Sequence, residues 1–226
     1  MTARESLALA MLLACSAVAA QDQIVPDDGA QIMARLETRL LSARKIVVES
    51  TLESTGAISA KLAGRTELRE RNHANASWRG DYASKPADLA LSADGWTLEE
   101  KRGGDTSRRE IEGRELNRAL LIGLLRMGLL HNIVRLAAAQ TPDHSRGGVE
   151  QWVTLDAFRP VTFPQGGELE GTMSFGFDVM LEGETLGSAR IWLDPATGLP
   201  KRRALAGHNA EGDFSVVEEY SRFEVE

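Results

Sequence analysis

Catalysis needs side chains of suitable type within reach of one another, and this sequence holds few such sets. The stretch Trp192-Leu193-Asp194-Pro195-Ala196-Thr197-Gly198-Leu199-Pro200 contains a single ionisable group, Asp194, among turn formers. Four histidines (His73, His131, His144, His208) are scattered without H-x-x-x-H spacing, and Cys15 is the only cysteine. A zinc site needs several such ligands converging, so no metal site is expected. Ser42-Ala43-Arg44-Lys45 has the S-x-x-K form, but it falls at a helix end and no K-T-G occurs in the chain. Gly171 to Gly176, GTMSFG, imitates a nucleophile elbow with the wrong spacing and inside a strand pattern. Glu99-Glu100 and Glu218-Glu219 are adjacent pairs. Adjacent strand residues face opposite sides, so neither pair can cooperate as acid and base. With no glycine-rich phosphate loop either, the expectation is a non-enzymatic protein without catalytic residues or cofactor.

Asp194 then has a geometric role. Ile191 and Leu193 face one side of a strand and Trp192 the other. The Asp194 carboxylate can accept from backbone N–H groups two residues on, Pro195 pre-sets φ, and Gly198 supplies a left-handed residue. Pro200 opens the next strand where no ladder donor is needed.

The elements around these residues follow from hydrophobic period. From Asp27 to Arg44, apolar residues at 32, 33, 36, 40 and 41 predict an amphipathic helix capped at Asp27 or Asp28. From Ile46 to Leu68 the even positions are apolar or small and the odd ones largely polar, which predicts a hairpin turning near Ser54 to Ala57. Small residues on its inner face (Ser50, Gly56, Ala60, Gly64) would leave room, as in a curved sheet that partly encloses a space. Asp94-Gly95 predicts a further tight hairpin. Glu112 to Gln140 is apolar nearly all round apart from a thin polar line that includes Arg118 and Arg126. Such a helix is buried on several sides or covers an apolar cavity, and Gly123 and Gly128 mark close packing or a break. Pro142 to Gly148 reads as a loop and the remainder as strands, with Met173, Phe175, Phe177, Val179 and Leu181 on one face.

The 226 residues are 42% hydrophobic, and the net charge of -7 argues against nucleic acid as a partner. Short basic clusters such as Lys201-Arg202-Arg203 and Arg108-Arg109 are expected on solvated strand faces. Residues 1–20 read as a secretory signal peptide, with Val18-Ala19-Ala20 as small residues before the cleavage point, leaving 21–226 as one domain. The expected location is the periplasm. Leu12 to Cys15, LLAC, also has the form of a bacterial lipobox. By that route Cys15 would be lipidated and anchor the protein to a membrane.

The strand followed by DPATGLPKR and two further strands ending in VVEEYSRFEV resembles the C-terminal half of the outer-membrane lipoprotein carrier (LolA/LolB-like) superfamily. The block SWRGDY, SKP, LALSADGWTL is similar to an earlier part of that family, although Thr97-Leu98-Glu99-Glu100 stands where its members have aromatics. With the two helices, the resemblance spans most of residues 27 to 226. It implies an α+β fold: a single strongly curved antiparallel sheet, an unclosed β-barrel, with helices covering the concave side. It also implies that acyl chains of lipids or lipoproteins are bound and that no reaction is catalysed.

Expected lining residues are Ile46, Val48, Leu52, Ile58, Leu62, Leu68, Trp78, Leu91 and Trp96 from the sheet. Leu120, Leu124, Met127 and Leu130 would come from the lid helix. Arg79 is expected in a structural ion pair. Four functions compete: a monomeric periplasmic carrier or chaperone, a membrane-anchored lipoprotein of the same fold acting as acceptor or envelope sensor, an exported enzyme, for which no catalytic constellation is found, and a structural protein-binding domain. An envelope membrane protein is a further candidate partner.

Overall fold

The computed structural model of the protein describes residues 26–110, 115–137, 153–159 and 167–226. The expected signal peptide with Cys15, the loop at 142–148 and His144 lie outside the described residues.

Helix α1 covers Pro26–Leu41. It begins at Pro26, whose fixed φ suits a first helical position, so Asp27 and Asp28 sit in its first turn and not at the cap. Six strands follow as a meander: β1 (Lys45–Gly56), β2 (Ala60–Arg69), β3 (His73–Tyr82), β4 (Lys85–Asp94), β5 (Thr97–Arg102) and β6 (Asp105–Glu110). Helices α2 (Glu115–Arg126) and α3 (Leu129–Ala137) separate them from β7 (Val153–Arg159), β8 (Met173–Leu181), β9 (Glu184–Leu193), β10 (Pro200–Asn209) and β11 (Gly212–Val225).

The described strands form one antiparallel sheet of order β6-β5-β4-β3-β2-β1-β11-β10-β9-β8-β7. The two halves of the chain join where β1 pairs with β11, with a bulge between Glu49 and Ser50. The sheet stays open between β6 and β7. The exposed edge strand β6, with Asp105, Arg108, Arg109 and Glu110, is charged enough to discourage pairing with a second chain. This is the strongly curved, unclosed barrel with helices that the sequence led us to expect.

The even-numbered inner face reads out as predicted. Ile46, Val48, Ser50, Leu52 and Ser54 of β1 are buried, and so are Ala60, Leu62 and Leu68 of β2. One core joins this face to Met33, Leu36 and Leu40 of α1 and to the apolar sides of α2 and α3. Helix α1 packs on β7 and β8 while α3 reaches β4 and β5, so the helices bridge the two ends of the open sheet.

Two expectations need correction, the space at residue 64 and the position of the β4–β5 turn. The small residue at 64 does not leave space: the Trp78 ring lies on Gly64 so closely that a Cβ there would collide with it. The long apolar segment forms two helices, with the break that its glycines offered as one of two readings. Met127 N and Gly128 N both donate to the Gly123 carbonyl (2.9 and 2.8 Å), and Gly128 takes φ +91°, a left-handed helix ending. The β4–β5 turn is shifted by one residue, because Gly95 and Trp96 are its central pair and Gly95 supplies the positive φ.

Trp192 faces away from this core, as expected from its strand parity. It packs with Ala204, Leu169 and Val217 on the other side of the sheet. The Arg190 guanidinium lies 4.7 Å from its ring centroid and holds Glu168 through two 2.8 Å bonds.

Candidate functional site

The turn after β9 settles the role of Asp194. Its Oδ1 accepts from Ala196 N (2.9 Å) and Thr197 N (3.0 Å), and Gly198 N donates to its carbonyl (2.7 Å). The Thr197 N–H, ahead of the other donors, holds the half-buried carboxyl below its ordinary range. Arg39 of α1 donates to the Thr197 carbonyl at 2.6 Å, so the turn also seats the helix. Asp94 repeats the device, accepting from Thr97 N (2.8 Å) and Trp96 N (3.0 Å). Both aspartates organise backbone.

The place where a ligand could sit is the space between sheet and helices. It contains a buried void of about 10 Å³ lined by β1–β4, α2 and α3. Seven of the expected lining residues meet there: Ile46, Val48, Leu68, Trp78, Leu91, Leu120 and Leu124. Leu52, Leu62, Met127 and Leu130 are buried in the same core, and Ile58 is half-buried against it. Trp96 does not join them. It is 81% exposed, because the one-residue shift of the β4–β5 turn places it at the turn's tip.

An open cleft of about 1040 Å³ adjoins one end of this core. Its walls are the end of α1, the β2–β3 and β4–β5 turns and the start of α2. Arg71, His73, Trp96 and Arg118 lie on its rim, while Ile46, Leu68 and Leu121 are at its floor. Those three floor residues also line the buried void. The β2–β3 turn is fixed by α2: Asn72 Oδ1 accepts from Asn117 N at 3.3 Å, and the Asn117 amide donates to the Arg69 carbonyl.

Sequence reasoning missed the polar group under the helix break. Arg203 was expected on a solvated face but is 1% exposed. Strand parity turns it to the helix side, where Nη2 donates to the Arg126 carbonyl (2.7 Å) and Nε to that of Leu125 (3.3 Å). Its cross-strand partner Glu218 is wholly buried and accepts from Leu130 N at 3.4 Å and from Tyr220 Oη at 2.7 Å. Burial pushes the Glu218 carboxyl above its ordinary range, against the pull of Arg203, and raises the Tyr220 hydroxyl as well. The only sequence cue was alternation, which places Arg203 and Glu218 on the opposite face from Arg202 and Glu219. Those two pair across the other side at 2.5 Å.

A second tie holds α2 to α1. Arg126 donates to both carboxylate oxygens of Glu37 (2.6 and 2.9 Å) and to the Val153 carbonyl (2.7 Å). Arg79 pairs with Asp88 at 3.3 Å in an exposed, structural contact. Among the described residues, no three His, Cys, Asp or Glu side chains are grouped to hold a metal ion.

No protein-family model and no curated protein matches the chain. Several solved structures are similar at low identity. LprF from Mycobacterium bovis is 11% identical, with 87% of this chain aligned to 93% of that one at a TM-score of 0.42. The LolA superfamily protein NE2245 from Nitrosomonas europaea is 8% identical over 88% and 93% of the chains, with a TM-score of 0.33. The MucA/MucB complex of Pseudomonas aeruginosa supplies a match at 16% identity, covering 88% of this chain and 57% of that one, at 0.31.

Proposed function

We propose that residues 21–226 form one exported, non-enzymatic domain that binds acyl chains of lipids or lipoproteins beneath the α2–α3 hairpin. The observation that carries this reading is the shared floor. Ile46, Leu68 and Leu121 line both the open cleft and the buried void, so a chain entering the cleft meets the core directly. The void of about 10 Å³ is too small for a chain, so α2 and α3 must lift from the sheet, with Gly128 as the natural pivot. Each methylene buried contributes about 0.8 kcal/mol, so a palmitoyl chain gains roughly 12 kcal/mol before ordering losses. That is enough to displace a hairpin whose apolar faces the chain would replace.

The first reading places the mature chain in the periplasm after cleavage behind Ala20. In the alternative, Cys15 anchors it to a membrane. The mass of the N-terminal peptide and membrane fractionation separate the two. The filled interior favours a second reading, in which the cleft receives a segment of an envelope membrane protein and the core never opens.

The test is native mass spectrometry of protein purified from periplasm, with its organic extract analysed alongside. A co-purifying acyl lipid or lipopeptide is expected. A clean apo mass, unchanged after incubation with lipids and lipopeptides, overturns the acyl-binding reading and leaves the protein-binding one.

A further inference from the structure

The lining of the buried void is apolar except for Thr66, Trp78 and Asn132. Asn132 is occupied, donating to the Leu120 carbonyl at 3.0 Å. Trp78 is not: it is 3% exposed, and its Nε1 is buried without a hydrogen-bond partner among the described residues. A buried N–H left without an acceptor is costly, and most native structures avoid it. The indole cannot readily turn to find a partner. It lies on Gly64, where any larger residue would strike its ring, and it stands between Gly64 of β2 and Leu89 of β4 in the ladder.

An indole N–H only donates, so whatever satisfies it must be an acceptor. The surrounding aliphatic side chains suit a hydrocarbon, which has none. A ligand that is hydrocarbon with one acceptor near its end answers both requirements. On the acyl-binding reading, on which this step rests, we infer that Trp78 Nε1 donates to the acyl carbonyl of the bound ligand. The site thereby selects ester- or amide-linked acyl groups over alkyl chains that lack a carbonyl. Trp78 is a specificity-determining residue of the cavity as well as a wall of it.

The experiment compares palmitoyl lysophosphatidylcholine with its hexadecyl ether analogue, which differs only in lacking the carbonyl. Affinities for the mature protein are measured by native mass spectrometry and calorimetry. The ester is expected to bind about tenfold more tightly, one buried hydrogen bond being worth about 1.4 kcal/mol. In Trp78→Phe both lipids lose affinity through packing, but their ratio falls to about one. Should that variant fold poorly, benzothienylalanine at position 78 keeps the bicyclic shape and removes only the N–H. An N-palmitoyl dipeptide run alongside separates an amide source from an ester source, according to which shows the gain that depends on Trp78. Equal affinity for ester and ether in the unmodified protein overturns the inference while leaving acyl binding intact. So does a preference that survives loss of the N–H. Binding of none of the three ligands overturns both.

Discussion

Arg203 and Glu218 stand opposite each other on β10 and β11 and grip the two sides of the helix break at Gly128. The guanidinium donates to the last carbonyls of α2, while the carboxyl accepts from an N–H in the first turn of α3. Each side chain thus meets the helix end of opposite partial charge, where a favourable contact is worth up to about 2 kcal/mol when partly buried. The pair does for two helix ends what capping residues adjacent in sequence do elsewhere. It also fixes the hinge on which any opening of the α2–α3 hairpin must turn.

Removing one member of this pair should cost far more than removing both. Arg203→Met leaves the Glu218 carboxyl buried without its cation and orphans two α2 carbonyls, an expected loss of about 3–5 kcal/mol. Arg203→Met combined with Glu218→Leu fills the same space with apolar groups and should recover much of that loss. Urea unfolding of the single and double variants checks the order. A double variant no more stable than Arg203→Met would show that the helix carbonyls, and not the uncompensated carboxyl, dominate the cost.

The same carboxyl gives stability a pH slope. Burial raises the native Glu218 above its ordinary value of 4.5, although Arg203, Tyr220 and the α3 N–H groups pull the other way. The native state therefore keeps a proton that the unfolded chain has already released. This contribution is fully present below 4.5, declines as pH rises toward the native value and is lost above it. Glu218→Gln cannot titrate. The stability of the unmodified protein relative to this variant should fall as pH rises from 4.5 toward the native value and level off above it. A relative stability that rises over the same range would reverse the assignment.

Gly128→Ala tests the hinge itself. Its φ of +91° is strained for any L side chain, and an added Cβ would collide with the Glu218 carboxylate and the Arg203 guanidinium. The backbone term alone is about 1–2 kcal/mol, and displacing the charged pair adds to it. Gly103→Ala is the control: its φ of +56° carries similar strain, but nothing lies within 4 Å of the new Cβ. Thermal unfolding should show the larger loss for Gly128→Ala.

Much of the fold was legible because period and turn chemistry are local. The alternation from Ile46 to Leu68 was enough to place the inner face of β1 and β2. The Asp-Pro-x-Thr-Gly turn was enough to remove Asp194 from any catalytic role. What was not legible depends on partners distant in sequence. Arg203 looked like part of an exposed basic cluster, because its compensation comes from carbonyls of a helix some eighty positions earlier and from the strand that follows. Gly64 looked like empty space, because the residue that fills it belongs to β3. The break at Gly128 was suspected from composition but could not be located without the polar pair that it accommodates.

The two tryptophans expected to line one cavity make the sharpest contrast. Trp78 is 3% exposed and lies across Gly64, while Trp96 is 81% exposed at the tip of a turn. The turn does not depend on the indole at 96, since its fixed contacts are the Asp94 carboxylate bonds to the Trp96 and Thr97 backbone N–H groups, which alanine retains. Trp96→Ala should therefore change stability by no more than about 0.5 kcal/mol. Trp78→Ala should cost about 3–5 kcal/mol, because it empties the middle of the core and α2 cannot collapse into the gap without breaking its ties to Glu37 and Arg203. Chemical denaturation followed by far-ultraviolet circular dichroism measures both without relying on tryptophan emission. Equal losses at the two positions would mean that the β4–β5 turn packs onto the body of the protein in solution. The cleft would then be closed where the structure shows it open.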